Sequence, residues 1–249
     1  MRSYFNKIKE VFTRFRDLTH VGIGNLVSTG ISGLFGIFIA NLMGVEAFGQ
    51  ISYFIAVASV AGVAALVGTS NAMIVYVAKG IRIQSSLYFI SMLISIVVAI
   101  VIYFLYQKIE VSLYVLGYVP FTLFTNELLG KKLYSRYSKI VIIQRISLVG
   151  LSLLFYYLNG PIGIVLGYAL SFFPYLIIVF CSFQRQEVSK VLLRKYFGFF
   201  MNSYGLEISR VCIAYSDKIV IAPLFGFALL GNYQLAYQVL IIMNMLPSV

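Results

Sequence analysis

Charge is scarce in this chain. Asp, Glu, Lys and Arg make up 11% of its 249 residues, against roughly 25% in an ordinary soluble domain. Hydrophobic residues make up 61% and mean hydropathy is +0.94, more apolar area than a soluble surface can hide. A soluble enzyme and a disordered chain are excluded on that ground. Cysteine is scarce as well. Cys181 and Cys212 both lie in apolar runs, which excludes a secreted disulfide scaffold and offers no metal spacing. They read as small hydrophobes. The single histidine, His20, stands just before the first apolar run and reads as an interfacial residue rather than a ligand. There is no phosphate-cradling Gly-Lys motif, no Cys/His metal set and no pair of carboxylates on a long polar loop. The sequence therefore reads as non-enzymatic, with no metal and no cofactor.

What is present is a series of apolar runs, each near the roughly 20 residues that cross a bilayer. They fall at 21–43, 48–78, 86–106, 112–130, 140–159, 161–183 and 199–225, and an eighth begins near 230. The alternation of a lipid-facing strand is absent, and backbone groups in hydrocarbon must be paired within the segment. The fold class is an all-α polytopic membrane protein of about eight transmembrane helices.

The connections alternate in charge. Arg2, Lys7, Lys9, Arg14 and Arg16 precede the first run; Lys79 and Arg82 follow the second. Lys131, Lys132, Arg136 and Lys139 follow the fourth, and Arg185, Lys190, Arg194 and Lys195 the sixth. Of basic residues the opposite connections hold only Lys108. Basic loops face the cytoplasm, so the expected location is the cell membrane with the N-terminus inside. The same loops account for the net charge of +11: they meet anionic membrane lipids, and no nucleic acid is needed. Residues 1–20 are too charged for a signal-peptide core. Phe5, Ile8, Phe12 and Phe15 recur among them at helical spacing, as in an amphipathic segment on the inner leaflet.

A repeat is the most informative feature. Residues 38–57 read FIANLMGVEAFGQISYFIAV and residues 220–239 read VIAPLFGFALLGNYQLAYQV. Aligned without gaps, they share Ile39/Ile221, Ala40/Ala222, Leu42/Leu224, Gly44/Gly226, Gly49/Gly231 and Val57/Val239. Each glycine pair brackets a short turn between two runs, where glycine ends one helix and lets the chain turn tightly. Six runs separate the copies, so both point the same way through the membrane. Parallel repeats arrange two bundles about an axis along the membrane normal, with the transport site between them. The expected organisation is an amphipathic segment at 1–20, a first six-helix lobe at 21–183, a basic linker at 184–198, and the first two helices of an incomplete second lobe at 199–249. On this arithmetic the chain reads as the first part of a longer one.

The turn IANLMGVEAFGQISY, the end of the second run, GTSNAMIVYVAKG, and SDKIVIAPLFGFALLGNYQLAYQ resemble the polysaccharide transporter branch of the multidrug/oligosaccharidyl-lipid/polysaccharide exporter superfamily. The resemblance implies two six-helix lobes and movement of a lipid-diphosphate-linked oligosaccharide between leaflets by alternating access. Glycan polymerases and glycosyltransferases are the protein partners it implies. A cation-coupled drug antiporter of the same fold and an inert membrane fragment are the alternatives.

A charge at mid-bilayer costs about 2.5–3.5 kcal/mol on insertion scales, so each needs a reason. The seventh run carries Glu207, Arg210, Asp217 and Lys218. Residues 207, 210, 214, 217 and 221 share one helical face, and Glu207 can pair with Arg210. Arg210 and Lys218 are candidate ligands of a diphosphate, with Asp217 and Glu207 as candidate coupling groups. Arg145, in the fifth run, is a cavity cation or a snorkelling anchor. Glu127 precedes Lys131 by one helical turn and suits a local ion pair. In the first run Asn25, Ser28, Thr29 and Ser32 recur at helical spacing among glycines. They suit close helix packing or a polar cavity wall, to which Asn71 would add from the second run.

Overall fold

In the computed structural model the backbone of residues 2–179 and 190–245 is described; side chains at 2–18, 20, 190–191, 242 and 244–245 are not. Among these residues every regular element is helical: α1 (Arg2–Met43), α2 (Val45–Leu66), α3 (Thr69–Ala78), α4 (Gln84–Tyr106), α5 (Ile109–Gly130), α6 (Tyr134–Asn159), α7 (Gly163–Val179, with a 3-10 turn at Phe173–Tyr175), α8 (Lys190–Lys195), α9 (Phe197–Phe225) and α10 (Phe227–Met245). The molecule is an all-α polytopic membrane protein. Val21–Met43, Val45–Leu66, Gln84–Tyr106 and Tyr134–Asn159 are each long and apolar enough to cross a bilayer alone. α3 and α7 are shorter apolar helices, and α5, α9 and α10 carry polar groups along comparable lengths.

α1 runs unbroken from Arg2 to Met43, so the amphipathic segment and the first span form one helix. The facing of Phe5, Ile8, Phe12 and Phe15 lies outside the described residues, as do Cys181 and residues 184–189 of the 184–198 linker.

The second run is not one helix. Val67 (φ 47°) and Gly68 (φ 71°) take left-handed conformations in succession, which an α-helix cannot absorb. α2 therefore stops at Leu66 and α3 restarts at Thr69. Gly68 owes its place to crowding as well as to φ: a methyl group there would lie 2.1 Å from the Phe200 carbonyl oxygen of α9.

α2 is the hub. It packs against α4, α5, α9 and α10, and Ala56, Ala58 and Ala65 along it are wholly buried. Its small side chains let neighbouring backbones approach, the usual basis of helix association where lipid removes the hydrophobic drive. Around it Phe54, Met73, Leu87, Tyr88, Val115, Leu123 and Phe172 form one continuous core. α1 lies against α6 at a similar close approach, where Gly24 faces Ser138.

The repeat has a geometric counterpart. Gly44, between α1 and α2, has φ 83° and ψ 162°. Gly226, between α9 and α10, has φ 86° and ψ 166°. The two helix–glycine–helix corners are the same backbone turn. They also touch reciprocally. A methyl on Gly49 would lie 1.9 Å from the Phe227 carbonyl oxygen, and one on Gly231 would lie 1.9 Å from the Val45 carbonyl oxygen. In the repeat alignment Val45 and Phe227 are equivalent, as are Gly49 and Gly231. Each copy therefore presents to the other the surface that it receives, the signature of a two-fold relation. α2 and α10 start at the same level and run in the same direction.

Candidate functional site

The inward stripe of α9 differs from the face that helical spacing alone suggests. Phe200, Ser203, Glu207, Val211, Lys218 and Ala222 are buried, whereas Arg210 is exposed and Asp217 half-buried. The stripe is centred on Glu207 and Lys218 rather than on Arg210 and Asp217, because α9 inserts against α2 and α10 along that side.

Glu207 and Arg210 form no ion pair within 4 Å; among the described residues ion pairing is confined to Glu127 and Lys131. Tyr88 also donates to Glu127, at 2.8 Å. Glu207 turns instead to the break between α2 and α3. Its Oε1 accepts the backbone N–H of Asn71 at 3.2 Å, and Ser70 lies beside the same carboxylate. Asn71 is the third residue of α3, so Glu207 supplies from α9 the cap that Gly68 cannot, and its charge faces the positive end of that helix. Asn126 of α5 donates to the Ser70 hydroxyl at 2.7 Å. The second carboxylate oxygen, Oε2, is buried and takes no hydrogen bond among the described residues.

Above this clasp lies a tyrosine cluster. Tyr114, Tyr118 and Tyr168 stack with centroids 5.9–6.5 Å apart. Arg145 of α6 points into electrostatic reach of all three, and its Nε is buried with no partner among the described residues. Tyr215 of α9 lies within electrostatic reach of Tyr114 and Tyr168.

Tyr168 and Tyr215 lead to a half-open pocket between the repeats. Its wall on one side is Gly36 and Ile39 of α1, Phe48, Ile51, Ser52 and Ile55 of α2, and Ile164 and Tyr168 of α7. The second repeat supplies Tyr215, Lys218, Gln234 and Gln238. Lys218 is 8% exposed, and its Nζ sits 5.0 Å from the Tyr215 ring centre and 5.1 Å from that of Tyr237. Asp217 lies within electrostatic reach of it but forms no ion pair with it. That carboxylate accepts the backbone N–H of Lys218 at 2.8 Å and the Tyr233 hydroxyl. Desolvated cation–π contacts, worth about 2 kcal/mol or more, hold the ammonium in place of an ion pair.

Asn25, Ser28 and Asn71 stand apart from this pocket. Asn25 is exposed and accepts a hydrogen bond from Tyr137 at 3.1 Å. The Ser28 hydroxyl bonds back to the Asn25 carbonyl, and Asn71 acts through its backbone. The pocket's other polar groups escape a reading of the sequence. Gln234 and Gln238 lie one turn apart in an apolar run, and that spacing was the available signal. No protein-family model, curated protein or solved structure matches this chain.

Proposed function

We propose that the chain moves a lipid-diphosphate-linked oligosaccharide across the cell membrane by alternating access, for polysaccharide or O-antigen-type biosynthesis. The observation that supports this reading is the placing of two cations with no ion-pair partner among the described residues near the seam between the repeats: Lys218 over the Tyr215 ring, and Arg145 within electrostatic reach of Tyr168. Charges inside membrane spans without carboxylate partners mark substrate pathways, and the seam between repeats is where transport sites form. Arg145 is the better diphosphate ligand of the two, since a guanidinium matches phosphate oxygens with a fork. Arg210, exposed on this chain, is the weaker candidate. Tyrosines along the track offer hydroxyls and ring faces to sugars.

The test is reconstitution of the chain into vesicles with a fluorescent lipid-diphosphate trisaccharide in both leaflets. A membrane-impermeant reductant then reads how fast the inner pool reaches the surface. Arg145→Gln is expected to slow that exchange by at least tenfold in protein that still inserts. Exchange no faster than in protein-free vesicles overturns the proposal. The orientation that the basic loops suggest is tested separately. Single cysteines at 79–85 or 131–139 resist an impermeant thiol reagent in intact cells, while one at Lys108 reacts.

A further inference from the structure

The break between α2 and α3 has no proline behind it. Residues 45–78 contain none, and proline is the usual origin of a sharp kink. Val67 sits at φ 47° and ψ 44°, a left-handed conformation that a β-branched residue enters only under strain. Turning Val67 and Gly68 to right-handed values would join α2 and α3 into one helix. The broken form is therefore held by its neighbours, and three helices hold it. Thr69 shares a hydrogen bond with Ser91 of α4 at 2.6 Å. Asn126 of α5 donates to the carbonyl and the hydroxyl of Ser70. Glu207 of α9 accepts the Asn71 N–H, a donor that a continuous helix would aim at the Val67 carbonyl. The Glu207 contact thus exists only while the helix is broken.

The break also divides the seam between the repeats. On one side of it α2 meets α10 through Gly49 and Gly231, backbone against backbone. On the other side, toward the end that carries the basic loops, α3 meets the start of α9 through aromatic rings. The Tyr76 ring centre lies 4.2 Å from that of Tyr196, 5.3 Å from Phe199 and 6.4 Å from Phe200. Rings can part and re-form by rotamer change; a backbone contact at glycine has no such freedom. α5 is tied to α3 at Gly130, where a methyl would lie 2.9 Å from the Ile74 carbonyl oxygen. It carries its own weak point, Pro120, which removes a backbone hydrogen bond. Both weak points fall about ten residues before the ends of α3 and α5, so the two helices can bend together.

We infer that α3 is a gate at the basic end of the seam, hinged at Val67 and Gly68 and latched by Glu207. Broken from α2, it rests on Tyr196, Phe199 and Phe200; joined to α2, it swings Tyr76 off them. The inference rests on the alternating-access reading above and names the element that moves. Strain at Val67 favours opening and the Glu207 hydrogen bond favours closure, so both bias one two-state equilibrium.

The test is a distance across the gate. Lys79 and Lys195 are exposed on its two sides. Each is replaced by a spin-labelled cysteine, in a chain whose own cysteines are changed to serine, and the pair is read by pulsed electron resonance in lipid vesicles. α3 is about 15 Å long, so a swing of about 20° moves its end by roughly 5 Å. Glu207→Leu cuts the latch and is expected to add a population longer by that amount. Glu207→Gln keeps an acceptor and is expected to keep the short distance. Val67→Gly relieves the strain of the broken form and weakens the continuous helix; added to Glu207→Leu, it is expected to restore the short distance. A cap with no gating role would lower the unfolding temperature and leave one distance throughout. Gly68→Ala disfavours the left-handed turn directly; it carries the expectation of Glu207→Leu and decides the matter if that variant fails to fold. An unchanged distance in these opening variants overturns the inference, as does a long population that Val67→Gly does not reduce. Two distances without lipid exchange defeat the transport reading alone; exchange with one fixed distance in every variant defeats this one alone.

Discussion

The two copies of the repeat share a backbone and differ in almost everything attached to it. α1 and α9 each end at a glycine of nearly identical φ and ψ, and α2 and α10 each begin with the same reciprocal glycine contact. Yet Asn25, Ser28, Phe35 and Gly36 of α1 stand where α9 has Glu207, Arg210, Asp217 and Lys218. The first copy uses these positions for structure: Asn25 accepts a hydrogen bond from Tyr137, Ser28 bonds its own helix, and Phe35 is in the core. The second copy holds charges at them. Surroundings differ too. Val57 of α2 is 7% exposed, whereas its counterpart Val239 of α10 is 47% exposed, because α4, α5 and α7 cover the first copy. A frame set by glycine can be duplicated, and the chemistry placed in one copy alone. The pocket at Lys218 exists because the copies are not alike.

The sharpest way to break the comparison is at the shared frame. Gly49→Ala and Gly231→Ala each drive a methyl into a backbone carbonyl of the other copy. Both are expected to abolish folded protein, a loss beyond about 4 kcal/mol, measured as detergent-stable monomer on size exclusion. Gly205→Ala, which meets nothing within 4 Å, is the control and should accumulate normally. Equal loss in all three would show that the glycines matter for insertion rather than contact.

The next largest effect concerns the clasp between copies. Glu207→Leu leaves the Asn71 N–H unpaired and removes a charge from the start of α3. It is expected to cost about 1–3 kcal/mol. Glu207→Gln keeps an acceptor and should cost less than half as much. Thermal unfolding of both variants gives the ratio, and a Gln variant as unstable as the Leu variant would contradict the cap.

Lys218→Met sharpens the contrast with Gly36. Removing a buried, unpaired charge while keeping its volume should leave stability within about 1 kcal/mol or raise it. Destabilisation beyond about 2 kcal/mol would mean that the cation–π contacts are structural. The smallest effect is expected at the pair Glu127 and Lys131. Lys131→Gln should cost about 0.5 kcal/mol, since its side chain is 45% exposed and such pairs contribute little.

The spans were legible in the sequence because hydrocarbon thickness sets a length and excludes unpaired backbone. The 161–183 run is a helix as far as the described residues reach, and the 48–78 run concealed a break at Val67 and Gly68. Hydropathy reports burial in lipid or protein and is blind to φ, so an apolar run reads through a kink. The site was partly legible. Arg145 and Lys218 stood out as charges in apolar runs, but helical spacing drew the stripe of α9 through Arg210 and Asp217. Periodicity gives the angular spacing of a stripe but not which neighbours lie against it.

The sequence by itself determined that the chain is a bundle of membrane helices with one glycine-bracketed turn used twice. Each of those properties follows from local composition: apolar length for the spans, and glycine's conformational freedom for the turns. Only the tertiary structure decided which charges are enclosed. Glu207 is buried because α3 begins beside it, Lys218 because Gly36 and Ser52 leave it room, and Arg210 is exposed because no described helix covers its side of α9. Burial of a charge is a property of the surfaces that meet around it, and those surfaces come from helices far apart in the chain.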